Sequence, residues 1–196
     1  MEISGKYGSD TKSISTDKNG NLIVSNTSSK YQNSVLAGNV FFAASQAATT
    51  WSVALNTTHT GLVVSNPVSS NKNLVILKAS FALSVAPAAI AHIGLFIGYT
   101  GTGIITHTTA LTVYNSFIGA GSATKAFADG AATLVGTPVW NQPIMGGFTA
   151  GALPSTSPAI IDVDGSIIVP PGGYCGIGAL TAVVGFGSLT WEEQPI

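Results

Sequence analysis

The feature that most constrains the fold is a two-residue alternation of apolar and polar side chains in the middle of the chain. Between Leu74 and Val85 every odd-numbered residue is apolar, whereas Lys78, Ser80 and Ser84 lie at even-numbered positions. Successive side chains of a β-strand point to opposite faces, so this alternation predicts a strand with one buried face. The segment from Ile93 to Tyr99 repeats the pattern and is predicted to be a second strand of the same kind.

From Val35 onward the remaining sequence also favours β-structure, and no segment has a convincing helical stripe of apolar residues. Further strands are predicted at 35–43, 51–55, 61–65, 106–113, 158–163, 166–169, 174–181 and 185–191. About nine short strands without helical crossovers predict an all-β fold, an antiparallel β-sandwich of the jelly-roll type.

Turn signals and proline content predict the connections. Asp164-Gly165 is predicted to close a hairpin between 158–163 and 166–169, and Pro170–Gly173 to form a sharp corner. Segments 43–50 and 123–134 could each hold one helical turn. Segment 137–158 contains four prolines and is predicted to be a long surface loop.

The first 33 residues differ from the rest because they are polar and carry most of the lysines. Within them Asp17–Asn21 is typical of a turn, and Leu22–Val24 is a short β-prone run. We therefore predict an extended N-terminal arm with a short hairpin or strand at 1–33, and a β-sandwich domain at 34–196. The arm lysines are candidate partner-binding residues: Lys6, Lys12, Lys18 and Lys30.

Charge is scarce along the whole chain. Only 8% of the 196 residues are charged, the net charge is −1, and arginine is absent, whereas an average domain is about 25% charged. Nucleic acid is therefore not an expected partner. A membrane is not expected either, because prolines and glycines interrupt the uncharged run between Lys78 and Lys125. Near-zero net charge favours association, so we expect sister subunits or another protein to cover much of the surface.

No group of residues in the sequence predicts catalysis, a cofactor or a metal. His59 is predicted to lie in a polar turn, and His92 and His107 on strands, without a nucleophile motif beside them. Asp162 and Asp164 share a predicted strand face, at a separation that does not exclude paired-acid chemistry, but no cleft residues surround them. Loops that begin at Asp17 and Asp162 have Ser28 and Gly173 where a calcium loop has its bidentate Glu, so a hairpin turn is favoured over a cation shared on a symmetry axis. The single cysteine, Cys175, is predicted to be a buried thiol. The chain is therefore not expected to be an enzyme.

The three tryptophans are predicted to have different roles. Trp51 and Trp191 lie in alternating segments and are predicted to fill the core. Trp140 lies in the proline-rich segment and is predicted to be exposed or at an interface, where it could also stack on a sugar. It joins the four arm lysines as a candidate partner-binding residue.

Several segments resemble those of jelly-roll structural proteins of tailed bacteriophages. They are Gly38–Ala44, Gly61–Pro67, Lys72–Val85, Ser166–Gly173 and Gly187–Glu193. The resemblance covers about residues 17–196 and implies a virion component without an enzymatic site, which is most often a capsid-decorating or tail-associated protein.

The leading expectation is a capsid decoration or cement protein that binds the outer head surface as a homo-oligomer, with a trimer favoured. Its partners would then be the major capsid protein or other virion proteins. The alternative is a tail-fibre, baseplate or receptor-binding module that recognises host-surface carbohydrate. A non-viral adhesion sandwich is a third reading, which the N-terminus disfavours because it lacks the apolar stretch of a signal peptide.

Overall fold

The structure is a computed structural model that describes residues 4–7, 10–13, 29–51, 55–101, 105–119, 121, 123–146 and 158–196. The chain divides into two compact units, residues 1–33 and residues 34–196. In the first unit, β1 (Ser4–Tyr7) pairs antiparallel with β2 (Asp10–Ser13). The turn predicted at Asp17–Asn21 and the strand predicted at Leu22–Val24 lie outside the described residues.

The second unit contains two antiparallel sheets that pack face to face, which confirms the predicted β-sandwich. A short helix, α1 (Gln32–Leu36), leads into it. Its strands are β3 (Val40–Ala44), β4 (Thr49–Trp51), β5 (Thr58–Ser65), β6 (Lys72–Leu83), β7 (His92–Tyr99), β8 (Thr106–Leu111), β9 (Tyr114–Asn115), β10 (Phe127–Thr133), β11 (Val139–Gly146), β12 (Ala159–Val169), β13 (Gly173–Ala179) and β14 (Val183–Pro195). One sheet has the order β11-β7-β13-β5-β10-β8, and the other β12-β6-β14-β3-β9 with β4 beside β14.

The strand pairing is that of a jelly roll. Eight strands form four nested antiparallel pairs: the first with the last (β3 with β14), then β5 with β13, β6 with β12, and β7 with β11. This nesting of two Greek keys defines the jelly roll. The segment 106–133, which lies between β7 and β11 in the sequence, contains β8 and β10. Strand β10 pairs with the free side of β5, and β8 pairs with the other side of β10.

The core lies between the sheets, and in the second half of β6 it contains Ala79 and Phe81, as the alternation predicted. In the first half the register shift between Lys78 and Ile76 reverses the parity, so Leu74 and Ile76 join the main core, and Val85, beyond the end of β6, is exposed. Trp51 and Trp191 are buried, and the Trp51 ring meets the Phe81 ring edge to face at 4.8 Å between centroids. Cys175 is fully buried, and this burial raises the pKa of its thiol to about 12. The predictions for these two tryptophans and for the cysteine are therefore confirmed.

The hairpin predicted at 158–169 is wrong, because the whole segment is one strand, β12. Both halves pair with β6: Asp162 opposes Lys78, and Ile167 opposes Ile76. Between these pairs, the four residues 163–166 on β12 match only Leu77 on β6, so the extra residues form a bulge. Asp164 (φ 52°) and Gly165 (φ 81°) adopt the left-handed backbone that the bulge requires, which is the conformation that also makes Asp-Gly a turn signal.

Four other local predictions are also wrong. Residues 139–146 of the predicted loop form the edge strand β11, where Pro143 is tolerated because edge strands leave backbone groups unpaired. Residues 127–133 form strand β10 in place of a helical turn, and the N-terminal part of 35–43 belongs to α1. His59 lies in β5 with 4% of its surface exposed, not in a polar turn.

Candidate functional site

The structure describes three of the four predicted arm lysines. Lys6 lies on β1 opposite Thr11, and Lys12 lies on β2 opposite Gly5. Lys30 is exposed, and its ammonium lies 5.4 Å from the centroid of the neighbouring Tyr31 ring, within cation–π range. Lys18 lies outside the described residues, so the role of this set in partner binding stays a prediction.

Trp140 is half-buried on strand β11 and does not lie in a loop. A Cβ atom at Gly94 of β7 would lie 2.7 Å from Trp140 Cζ3, so the indole ring rests directly on the β7 backbone. The ring lines a surface cavity of about 280 Å³ with His92, Asn141 and Gln142 among its other walls. This arrangement joins an aromatic face to imidazole and amide groups that can donate and accept hydrogen bonds.

Exposed apolar side chains collect where the edge strands of the two sheets meet. Tyr99, Val139 and Ile168 are 64%, 62% and 57% exposed. All three line one concavity of about 330 Å³, whose other walls include Ile97 and Pro170 and whose lining residues are all uncharged. We call the three exposed side chains and this concavity the apolar edge. Apolar residues that cluster in this way mark interaction surfaces, whereas scattered ones are ordinary.

His107 and Asp129 form a pair that the sequence analysis did not predict. His107 Nδ1 lies 2.7 Å from Asp129 Oδ2, the carboxylate is fully buried, and the two residues link β8 to β10. Burial raises the pKa of the Asp129 carboxyl, while the hydrogen bond and charge of His107 lower it. A sequence signal existed, because Asp129 is the one charged residue between Lys125 and Asp162. A lone carboxylate in a β-run requires a buried partner.

This pair has the geometry of a structural link. Cavities of about 270 Å³ and 680 Å³ flank His107, and Ser65 and Ser69 line the smaller one. Within the described part of the chain, no hydrogen bond joins either hydroxyl to the imidazole. The contact between His107 Nδ1 and Asp129 Oδ2 therefore serves to hold β8 against β10.

Asp162, one of the two carboxylates considered for a shared cation, forms an exposed ion pair with Lys78 at 3.3 Å. Across the described ranges, no group of three or more His, Cys, Asp or Glu side chains is placed to hold a metal ion. None of the helices in the described residues has the length and apolar character needed to cross a membrane.

No family model, curated protein or solved structure matches this chain. The fold is therefore known from the strand pairing itself. The resemblance to phage virion proteins remains a prediction, and the function is argued below from surfaces and charges.

Proposed function

We propose that this chain is a non-enzymatic structural protein of a tailed-phage virion. In its most specific form it is a decoration or cement protein that binds the outer head surface as a homo-oligomer, with a trimer favoured. The observation that supports this proposal best is the apolar edge, on a protein whose chain carries only seven basic and eight acidic residues.

The apolar edge would gain stability from contact with another subunit. Each of its three large side chains is more than half exposed. Burying the exposed part of such a side chain contributes about 1 kcal/mol, so the three together contribute about 3 kcal/mol per copy before the cost of association. The concavity between them offers a socket for a side chain of the neighbouring copy, and its uncharged walls avoid the desolvation cost of burying a charge.

The N-terminal unit would connect the oligomer to the shell. This unit carries four of the seven lysines and is a compact unit distinct from the sandwich. In the proposal, these residues lie along capsid subunits and contribute ionic and backbone contacts, each of modest strength. Many copies on one shell then bind with an avidity that no single contact provides.

The first test separates oligomer formation from attachment. Ile168→Glu places a charge in the apolar edge and is expected to shift the protein toward monomer in sedimentation velocity. Ile160→Glu is the matched control, because Ile160 lies on the same strand and is 60% exposed, but does not line the concavity. Equal sedimentation of both variants and the unmodified protein would remove the apolar edge from the proposal.

The second test addresses location and the arm. Heads and tails separated from purified phage particles are probed for this chain, and the proposal expects it on heads. Removing residues 1–30 is expected to abolish binding to heads that lack the protein, while the sandwich stays folded by circular dichroism. Undiminished binding of the shortened chain would contradict the proposed role of the arm.

The second candidate function, carbohydrate recognition by a tail-associated module, is favoured by the cavity at Trp140. An aromatic ring beside His92, Asn141 and Gln142 suits a pyranose, whose apolar face stacks while its hydroxyls form hydrogen bonds. On a glycan array, Trp140→Ala is expected to abolish binding and Trp140→Phe to retain part of it. If the unmodified protein binds no glycan at millimolar concentration, this candidate is rejected.

A further inference from the structure

The imidazole of His107 has one nitrogen bound within the protein and a second that is available to another molecule. Nδ1 lies 2.7 Å from the buried carboxylate of Asp129. Nε2 lies on the far side of the ring, and no hydrogen bond joins it to any residue that the structure describes. The side chain is 33% exposed and lines the cavities of about 270 Å³ and 680 Å³. A buried carboxylate therefore fixes a ring whose second nitrogen can form a hydrogen bond with a ligand.

Two bulges in the pairing of β8 with β10 bring His107 and Asp129 to the same face of the sheet. His107 is opposite Ala132, three residues from Asp129, and residues three apart on a regular strand point to opposite faces. Gly130 on β10 and Thr108 on β8 are extra residues in this ladder, so each strand loses one step and both side chains reach one face. Bulges are frequent beside functional sites, where they redirect a side chain.

The smaller cavity, of about 270 Å³, has apolar walls and a second polar group besides His107. Ser65 is opposite Phe127 on one side and Tyr174 on the other, so these three side chains share a face of the sheet. Ile105 adds a further apolar wall. Ser65 is buried, and within the described ranges its hydroxyl forms no hydrogen bond. An apolar concavity with a few polar groups that are free to bind is the usual composition of a small-molecule site.

We propose that this cavity binds a small molecule with one apolar ring and one hydroxyl group, and that the hydroxyl forms a hydrogen bond with Nε2 of His107. A hydroxyl suits this nitrogen in both of its states, because it donates to a neutral imidazole and accepts from a protonated one. The volume is sufficient for a single ring, since an engineered cavity of about 150 Å³ binds benzene.

This site is separate from the carbohydrate candidate at Trp140 and does not depend on the proposed virion function. Among the described residues, none lines both cavities. The described walls of the cavity at His107 include no Lys, Asp or Glu, so they favour an uncharged ligand. A pyranose would leave most of its hydroxyls against apolar side chains, which costs free energy, whereas a ring with a single hydroxyl avoids this cost.

The test follows the three histidines of the full chain by NMR while phenol or toluene is added. The two probes have nearly the same shape, but only phenol carries a hydroxyl. The His107 signal is identified as the one that is missing from His107→Asn. Phenol is expected to shift this signal with saturation at millimolar concentration, and toluene is expected to bind about fivefold more weakly because it cannot form the hydrogen bond.

His107→Asn also separates the two roles of the imidazole. The asparagine amide can donate to Asp129 from about the position of Nδ1, but it has no group at the position of Nε2. The variant is therefore expected to keep the link between β8 and β10, which circular dichroism and thermal unfolding check. Its preference for phenol over toluene is expected to disappear, as measured on the probe signals by saturation-transfer NMR.

Val68→Trp is expected to fill the cavity and to abolish the effect of phenol on the His107 signal, because Val68 is an exposed residue of the cavity wall. Val85→Trp is the matched control, since Val85 is an exposed valine that does not line this cavity. The proposal is overturned if phenol leaves the His107 signal unchanged, if it shifts only the His92 signal, or if phenol and toluene bind equally. Binding to heads is measured separately, so its loss with intact phenol binding would reject the virion function alone.

Discussion

His59 makes the stability of this protein depend on pH in a way that the structure predicts quantitatively. Its ring lies in the core, 4.8 Å from the Phe96 ring centroid, and its Nε2 has no hydrogen-bond partner in the described residues. Burial lowers the pKa of the imidazole from 6.5 to about 4. The folded protein therefore keeps His59 neutral where the unfolded chain already binds a proton.

The sign and size of the effect follow from proton linkage. Between pH 6.5 and about 4 the unfolded state binds more protons at this position, so the free energy of unfolding falls as the pH falls. The full shift corresponds to about 3 kcal/mol, and about 2 kcal/mol of it is lost by pH 5. Above pH 7 both states are neutral at His59, and the contribution is fully present.

The assay compares the unmodified protein with His59→Leu in urea unfolding, followed by tryptophan fluorescence at about pH 7.5 and about pH 5. The variant loses some stability at both pH values through altered packing, but it lacks the titrating group. The unmodified protein is therefore expected to lose about 2 kcal/mol more than the variant between the two conditions. Asp129 titrates in both proteins, and its effect cancels in the difference.

His92→Leu is the control for replacing a histidine by leucine at an exposed position, because His92 is exposed on β7. The reasoning about His59 is refuted if the unmodified protein and His59→Leu lose the same free energy, within about 0.5 kcal/mol, between the two pH values.

Two buried polar residues connect separate parts of the sandwich and provide the remaining predictions. The Asn66 side-chain amide donates hydrogen bonds to the backbone carbonyls of Lys72 and Val169 at 2.8 and 2.9 Å. Asn66→Ala removes both bonds and is expected to lower the free energy of unfolding by about 2–4 kcal/mol, measured by urea unfolding. A loss below about 1 kcal/mol would contradict the role of these bonds. Glu193 accepts hydrogen bonds from the Lys125 and Ala126 backbone amides at 2.7 and 3.2 Å. Glu193→Ala is expected to lower the stability by about 3 kcal/mol in thermal unfolding, and an unchanged midpoint would contradict this role.

The sequence predicted the fold well where burial has a simple period. In β7 and in the second half of β6, alternate side chains enter the main core, and the apolar pattern marks both strands within a few residues of their ends. The prediction failed at β11 because an edge strand with exposed polar residues and Pro143 has the composition of a loop. It failed at β12 because Asp164-Gly165 favours a left-handed backbone, which serves a bulge as well as a turn.

The surface features were less predictable, because they depend on which strands become neighbours. No local feature of the sequence indicates that β12 of one sheet comes close to β11 of the other, or that β8 pairs with the outer side of β10. The apolar edge and the His107–Asp129 pair both arise from such pairings between distant segments. The lone Asp129 signals a buried partner, but only the register of β8 and β10 identifies that partner as His107.

The nested strand pairing has a consequence for how the protein is made. β14, the last strand of the chain, occupies a central place in its sheet, between β6 and β3. β3 and β6 precede β14 in the sequence and have unpaired edges until β14 joins them, so folding depends on contacts of high sequence separation and is expected to be slow. A chain truncated before β14 lacks the strand that joins the two halves of this sheet, so β3 and β6 are left without their shared partner.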